Sequence, residues 1–516
     1  MKTTKSILIT VATLPVLYSC NTTKETEETK PNILFIIADD ISRTSMGAYG
    51  NTYIKTPAFD RIAEQGILFT NAFVTNPKSA PARAGILTGR YSWQLEESAN
   101  HWPIMSDKWV FYPDLIEASG YFMGFTGKGW GPGIFPGEHN PAGWEYNDIK
   151  LTPPYKSISS KDYSANFEFF LNQNSDNKPF VFWLGTHEAH RAFEKDVHKK
   201  KNINPDNIPV QDFFPDNEIT RGDIADYGVE VEYHDDVIGK ALKLLEEKNL
   251  LENTLIIATS DHGMAFPRIK GQIYDEGFHV AFAAMWRGKI EPGRIVEDFI
   301  SFPDIAPTFM EAAGLKPHIQ MTGKSFMDIL VSEKSGIIDT SRSFALLGKE
   351  RHDIGRTDGE LLSVGYPVRA IRDAQYLYAK NYRAERWPAG DPEYNYKNCD
   401  DSPTKSLLLS YTPENPNYKY YELSFGKRHE DELYDIINDS DCINNLANDP
   451  EYFEIKKSLI EKMESELKRQ SDPRMFGHGD IFDYYPQGNI PKQKALYGEK
   501  YYDMQSIFNE KFSDIK

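Results

Sequence analysis

Five short stretches of this sequence carry side chains able to do chemistry together: Asp39-Asp40, Ser79 with Arg83, Lys128, His187 with His190, and Asp261-His262 with Lys270. Adjacent carboxylates repel each other unless a cation compensates them, so Asp39, Asp40 and Asp261, joined by His262, read as metal ligands. Taken singly, each pair would be a turn, a cap or a loop. Ser79-Ala80-Pro81-Ala82-Arg83 reads as a helix start, with serine at the entry and proline in the first turn. Such a position aims backbone N–H groups and the positive end of the helix dipole at an anion. Arg83, one turn on, shares its face. Lys128 in Thr126-Gly127-Lys128-Gly129-Trp130 and Lys270 in Arg268-Ile269-Lys270-Gly271 offer compact ammonium groups suited to a tetrahedral anion, although either alone could be a solvated surface charge.

Three apolar runs lead into these residues: Asn32–Ala38 before Asp39, Phe180–Leu184 before Thr186-His187, and Thr254–Ala258 before Ser260-Asp261-His262. Each is too brief for a helix and apolar throughout, the pattern of a parallel strand buried on both faces. Ligands of open α/β sheets bind beyond the carboxyl ends of the strands, so three such ends predict one shared site. Val237, Ile238, Ala241, Leu242 and Leu245 form a stripe at helical spacing and predict a crossover helix. His234, Asp235 and Asp236, near its start, read as solvated or capping residues. Beyond about Leu330 aromatics and prolines increase, and Asp449-Pro450 opens a helix with a stripe at Tyr452, Ile455, Leu459, Met463 and Leu467. A catalytic domain over 31–330 and a smaller C-terminal α+β subdomain over 331–516 follow, the tail from Arg474 reading as an extended wrap.

The segment Ser79-Ala80-Pro81-Ala82-Arg83, continued by Ala84-Gly85-Ile86-Leu87-Thr88-Gly89-Arg90, resembles the signature of the formylglycine-dependent sulfatases. In that family a Cys or Ser two places before Pro and four before Arg is oxidised to an aldehyde. The resemblance implies an alkaline-phosphatase-like fold, a large and mostly parallel mixed sheet with helices on both faces, and hydrolysis of a sulfate ester or sulfamate on a sulfated carbohydrate of glycosaminoglycan type. It implies a calcium ion held by Asp39, Asp40, Ser79, Asp261 and His262. Many relatives carry Asn where His262 stands, and imidazole is a less usual partner for a hard ion, so Mg2+ and Mn2+ stay open. The hydrated aldehyde would offer two geminal hydroxyls, one to attack sulfur and one to expel sulfate. By the same resemblance Arg83 holds the diol, Lys128 and Lys270 grip the sulfate and His190 protonates the departing atom; His187 is a substrate or support residue.

Two departures stand out. Trp130 occupies a place where relatives commonly have a histidine that helps collapse the sulfate hemiacetal, which leaves that base open, with Asn100 and His101 as replacements to consider. His279-Val280-Ala281 stands where Arg-Val-Pro is usual. Glu432-Leu433-Tyr434-Asp435 with Asn445-Leu446-Ala447 carries the resemblance to about Arg474. Phe266-Pro267-Arg268, Glu350-Arg351-His352-Asp353 and Arg383, Glu385, Arg386, Trp387 and Pro388 resemble the heparan N-sulfatase-like branch. Arg351 and His352 are candidates for sugar recognition, an ion-paired loop being the equal alternative. Serine at position 79 implies maturation by a radical iron-sulfur oxidase of the anaerobic type. Two rival readings are a phosphodiesterase or phosphonate hydrolase of the same superfamily and a non-catalytic, surface glycan-binding lipoprotein.

The net charge of −18 argues against nucleic acid as a partner. Lys2 and Lys5, the apolar run Ile7 to Val16 and Leu17-Tyr18-Ser19-Cys20 resemble a bacterial lipoprotein signal over 1–20, followed by a polar tether over 21–30 with Glu25, Glu27 and Glu28. The run is too short to cross a bilayer, so the expectation is export, with a lipid on Cys20 as the membrane link, in the periplasm or on the outer cell surface. Tyr18 is bulky for that motif and keeps a simply cleaved signal open. Cys399 and Cys442 could pair in an oxidising compartment, and three cysteines without a close pair make no zinc site.

Overall fold

The computed structural model describes residues 30–512, so the signal segment and all but the last residue of the tether lie outside the described residues. Strands β1 (Asn32–Ala38), β2 (Ile67–Phe69), β3 (Phe122–Gly127), β4 (Phe180–Gly185), β5 (Thr254–Ser260), β6 (Phe282–Met285) and β7 (Arg294–Val296) form one sheet in the order β3-β4-β1-β5-β6-β2-β7. The four strands β3, β4, β1 and β5 run parallel, while β6 runs antiparallel to both β5 and β2. Phe35 lies opposite both Trp183 and Ile257. Along β1, Ile33, Phe35 and Ile37 enter one core layer and Leu34, Ile36 and Ala38 the other. Burial on both faces is why these runs are apolar at every position.

Helices cover both faces. One layer takes α1 (Pro57–Glu64) and the long α3 (Glu218–Glu247); the other takes α2 (Ser79–Thr88) and α4 (Ile305–Ala312). The crossover helix α3 begins well before the expected point: the Asn217 side chain accepts the N–H groups of Ile219 and Thr220, and Ile224 and Val229 extend the buried stripe. His234 and Asp235 are therefore mid-helix and buried, and only Asp236 is solvated. Asp235 is a cap for another helix, accepting the N–H groups of Ala58 (2.9 Å) and Phe59 (2.8 Å) in α1.

Strands β8 (Phe344–Lys349), β9 (Val368–Asp373), β10 (Tyr376–Asn381) and β11 (Asp431–Asp435) form an antiparallel sheet in chain order. Across it lies α5 (Phe453–Arg469), whose Leu459, Met463 and Leu467 meet Leu346, Ile371 and Leu433. Asp449 accepts the Glu451 N–H and opens a short 3-10 turn ahead of it. The tail is not an extended wrap. Asn489 and Asp503 cap helices Ile490–Tyr497 and Met504–Lys511, side-chain oxygens at the entry satisfying otherwise unpaired N–H groups. Cys399 and Cys442 are both free, so the pairing left open by the sequence is not made. Among the described residues no helix is long and apolar enough to cross a membrane.

Candidate active site

The carboxyl ends of the central strands are stitched by their own backbones. The Asp39 N–H donates to the Glu188 carbonyl (3.1 Å), the Ala189 N–H to the Asp39 carbonyl (2.6 Å) and the Asp261 N–H to the Ala38 carbonyl (3.2 Å). Asp40 turns the chain at φ 64°, a left-handed conformation that Asp tolerates better than most residues, and its N–H reaches Asp261 Oδ1 at 3.1 Å. Helix α2 slides beneath these ends because Ala80, Ala82, Ala84 and Gly85 keep it thin; every residue from Ser79 to Thr88 is buried. Ser79 is thereby delivered to the floor of the site, with Oγ 3.1 Å from Asp39 Oδ1 and 3.3 Å from His262 Nε2.

Asp39, Asp40, Asp261 and His262 offer ligand atoms that all lie within 4.8 Å of one another, a buried cluster that could hold a metal ion. One orphaned oxygen and the lone pair that faces it favour one. His262 Nδ1 faces the Gly263 carbonyl (3.0 Å), which can only accept, so the proton sits there and the Nε2 lone pair points at Asp40 Oδ1, 3.2 Å away. Burial pulls the imidazole pKa down, against the pull of Asp261 and Asp40. Asp40 Oδ1 is itself buried without a hydrogen bond. A lone pair facing a carboxylate oxygen is repulsive until a cation lies between them.

Three cations of the chain brace the cluster. Lys128 Nζ lies 2.7 and 2.6 Å from the Asp39 oxygens and 3.1 Å from Ser79 Oγ. Lys270 Nζ lies 2.5 Å from Asp40 Oδ2 and 3.0 Å from Asp400 Oδ2. Arg83 spans the strand ends, donating from Nε to Asp261 Oδ2 (3.0 Å) and from one terminal nitrogen to the carbonyls of Lys128 (2.8 Å) and Gly129 (3.1 Å). Burial alone would raise the Asp39 carboxyl; Lys128, His190, Arg83 and Lys270 outweigh it and hold the group well below the ordinary carboxylate range. Burial likewise opposes the charge on Lys270, but Asp40 and Asp400 prevail and raise its pKa.

A cleft of about 830 Å³ opens above Ser79, Asp39, Lys128 and Lys270. His190 stands exposed at its edge, its Nδ1–H donated to the Arg191 carbonyl (2.8 Å), which leaves Nε2 outside that bond. His187 accepts from Lys161 Nζ at 3.1 Å, and burial with that lysine beside it depresses its pKa to about 3. His101 also lines the cleft and is held far below its usual pKa by burial and by Lys78, Lys270 and Lys128.

Some candidates fall elsewhere. Arg351 is buried with its guanidinium on the carbonyls of Tyr485 (2.6 Å) and Pro486 (3.2 Å), away from the cleft lining. His352 lies under the Lys270 loop, where a side chain on Gly271 (φ 70°) would collide with its ring. Asn100 serves the backbone of Phe482 and Arg351, and the Trp130 ring belongs to the core beside Phe135. Sequence reasoning missed Lys78, Lys161, Asp400 and Lys492 and quoted Asp353 only within the branch resemblance; all five line the cleft. For Lys78 a signal existed, its adjacency to Ser79; the others reach the cleft only through tertiary folding.

The family model described as Sulfatase matches residues 31–315. An ulvan-active sulfatase of Formosa agariphila is 31% identical over 456 residues, covering 86% of this chain and 81% of that protein. The N-sulphoglucosamine sulphohydrolase of Homo sapiens is 24% identical, covering 86% of this chain and 91% of its own. A solved structure in complex with its substrate D-glucosamine-2-N,6-O-disulfate is similar at TM-score 0.62 and 20% identity, covering 86% of this chain and 99% of that one, and shows the shared fold.

Proposed function

The chain belongs to the sulfatase family, whose members hydrolyse sulfuric esters or sulfamates, and we propose that it removes sulfate from a sulfated, glycosaminoglycan-type carbohydrate with residue 79 matured from serine to formylglycine. The observation that carries the proposal is the meeting at one point of a nucleophile position and a cation site: Ser79 Oγ lies within hydrogen-bonding reach of Asp39, His262 and Lys128. Asp39, Asp40, Asp261 and His262, with residue 79, would hold calcium, and the unpaired Asp40 Oδ1 and the inward Nε2 lone pair of His262 fit a cation. Bound calcium would polarise the sulfuryl oxygens, and the hydrated aldehyde would supply the attacking hydroxyl.

The chain's own residues account for the rest. Lys128 and Lys270, both fixed on metal-site carboxylates, present ammonium donors to the sulfuryl oxygens, preorganised charge of the kind that lowers a barrier most. Arg83 keeps Asp261 and the Lys128 backbone in register. His190 Nε2 is the group placed to protonate the departing oxygen or nitrogen. His101 supplies an imidazole in the cleft that Trp130, turned into the core, does not. The names of the relatives, ulvan-active sulfatase and N-sulphoglucosamine sulphohydrolase, support an anionic polysaccharide as the substrate source.

The reading extends to the cell. The Cys20 motif supports export with a lipid anchor in the periplasm or on the outer surface, and Ser79 supports maturation by an anaerobic-type oxidase. Residues 31–330 would form the catalytic domain and 331–516 the subdomain that brings Asp353, Asp400 and Lys492 to the cleft. The test is release of inorganic sulfate from sulfated glycosaminoglycan disaccharides by matured protein, run beside phosphate and phosphonate esters. Turnover of the phosphorus esters without any sulfate release would overturn the reading.

A further inference from the structure

The lysines of the cleft differ in what neutralises them. Lys128 lies on Asp39, Lys270 on Asp40 and Asp400, and Lys492 on Asp353 at 3.0 Å. Lys161 has no carboxylate but donates to the Gly127 carbonyl (3.0 Å) and to His187 (3.1 Å). Lys78 is the least neutralised: it is 6% exposed and lines the cleft, its ammonium makes no hydrogen bond or ion pair among the described residues, and the Asp400, Asp353 and Asp40 charges act on it only from beyond contact. An ammonium on a largely buried stem, open only to the cleft and without a direct partner, is partly desolvated at a cost that is relieved when a ligand brings the counter-charge.

A further observation marks this as a built position. The loop is fixed, since Pro77 accepts the Gly271 N–H at 2.9 Å and the Lys78 N–H reaches the Asn76 carbonyl at 2.7 Å. Lys78 touches neither Ser79 Oγ nor any carboxylate of the metal cluster, whereas Lys128 and Lys270 do. Lys128 and Lys270 are thereby tied to the nucleophile position and the metal cluster, whereas Lys78 is uncommitted.

We infer that Lys78 forms a second anion subsite, which takes a carboxylate or a further sulfate on the sugar that carries the scissile group or on its neighbour. The inference rests on the sulfatase reading and narrows its substrate class: the enzyme selects carbohydrates with at least two negative groups close together. A neutral sugar with one sulfate leaves the Lys78 ammonium without a direct counter-charge, and so binds less well.

The experiment compares kcat/KM of matured wild type and Lys78→Met on sulfated disaccharides in matched sets: one sulfate and no other charge, the same sugar with a uronate carboxylate, and the same sugar with a second sulfate. The expected result is that wild type prefers one or both dianionic sets, and that Lys78→Met loses about thirtyfold or more on the preferred set relative to the monoanionic one, chiefly through KM. Whichever dianionic set collapses identifies the anion as carboxylate or sulfate. The Tm of Lys78→Met should be no lower than that of wild type, because the ammonium has no protein partner to lose, and Lys78→Arg should retain part of the preference. Equal losses on all three sets, or a preference that survives Lys78→Met, would overturn the inference and leave the sulfatase reading standing. Absence of sulfate release from every set, with the aldehyde at residue 79 confirmed, would overturn both.

Discussion

Lys128→Met separates the sulfate grip from the metal site. In the wild type the ammonium lies 3.1 Å from Ser79 Oγ and 2.6 Å from Asp39 Oδ2, so it reaches an oxygen on a sulfur bonded at residue 79 without moving. Methionine keeps most of the stem and removes the charge. Loss of one preorganised donor in a buried site costs about 3 kcal/mol of barrier, so kcat should fall roughly 100- to 1,000-fold, with KM changing much less. Asp39 also loses a competing cation, and calcium affinity should hold or rise. The assay pairs initial rates of sulfate release with calorimetric titration of calcium into the same preparation. A kcat within about threefold of wild type would remove Lys128 from the sulfate pocket, and loss of calcium binding together with kcat would make it a support for the metal ligands instead.

Other outcomes follow from the same geometry. If the buried cluster holds calcium, chelation should lower Tm by about 2–3 °C from its value at 100-fold the metal Kd, a linkage of about 2.7 kcal/mol spread over the unfolding entropy of a chain this long; an unchanged Tm on chelation and re-addition would speak against a bound ion. Burial depresses the His234 pKa to about 3, so its stability contribution is complete above the unfolded value near 6.5 and is lost as pH falls toward 3. His234→Gln should accordingly shrink the stability difference between pH 6.5 and 5 by about 2 kcal/mol in denaturant titrations, and an unaltered acid sensitivity would refute that assignment. Asp472 accepts two bonds from buried Arg369, at 2.6 and 3.0 Å, and ties β9 to the turn after α5; Asp472→Ala should cost about 3–5 kcal/mol by chemical denaturation, and a loss under 1 kcal/mol would mean Glu350 alone neutralises the arginine.

The parts of the fold that could be read in advance are those where burial is uniform. Strands β1, β4 and β5 are covered on both faces, so their apolar runs and the sudden polar residues at their ends mark both the strands and the site. The helical stripe from Val237 to Leu245 was visible for the same reason, but not its true start at Glu218: Tyr227, Gly228 and Glu230 face buried surroundings that no local pattern distinguishes from loop. Arg351 shows the other limit. Its guanidinium is taken up by the Tyr485 and Pro486 carbonyls, and that tail segment was itself misread as extended, so nothing local could reveal the partner. Asp400 pairs with Lys270 across the boundary between the two sheets, a contact made only by tertiary packing. Residues supplied by the central strands were therefore legible, whereas those lent by the C-terminal part, which shape the cleft, were not.

The central claim is that position 79 is the nucleophile only after oxidation, and peptide mass spectrometry across Ser79 on protein purified from its native host tests it most directly. The account predicts a peptide lighter by two hydrogens, about 2 Da, in preparations that release sulfate, the mass change of a primary alcohol oxidised to an aldehyde. Sulfate release by protein whose Ser79 is wholly unmodified would contradict it.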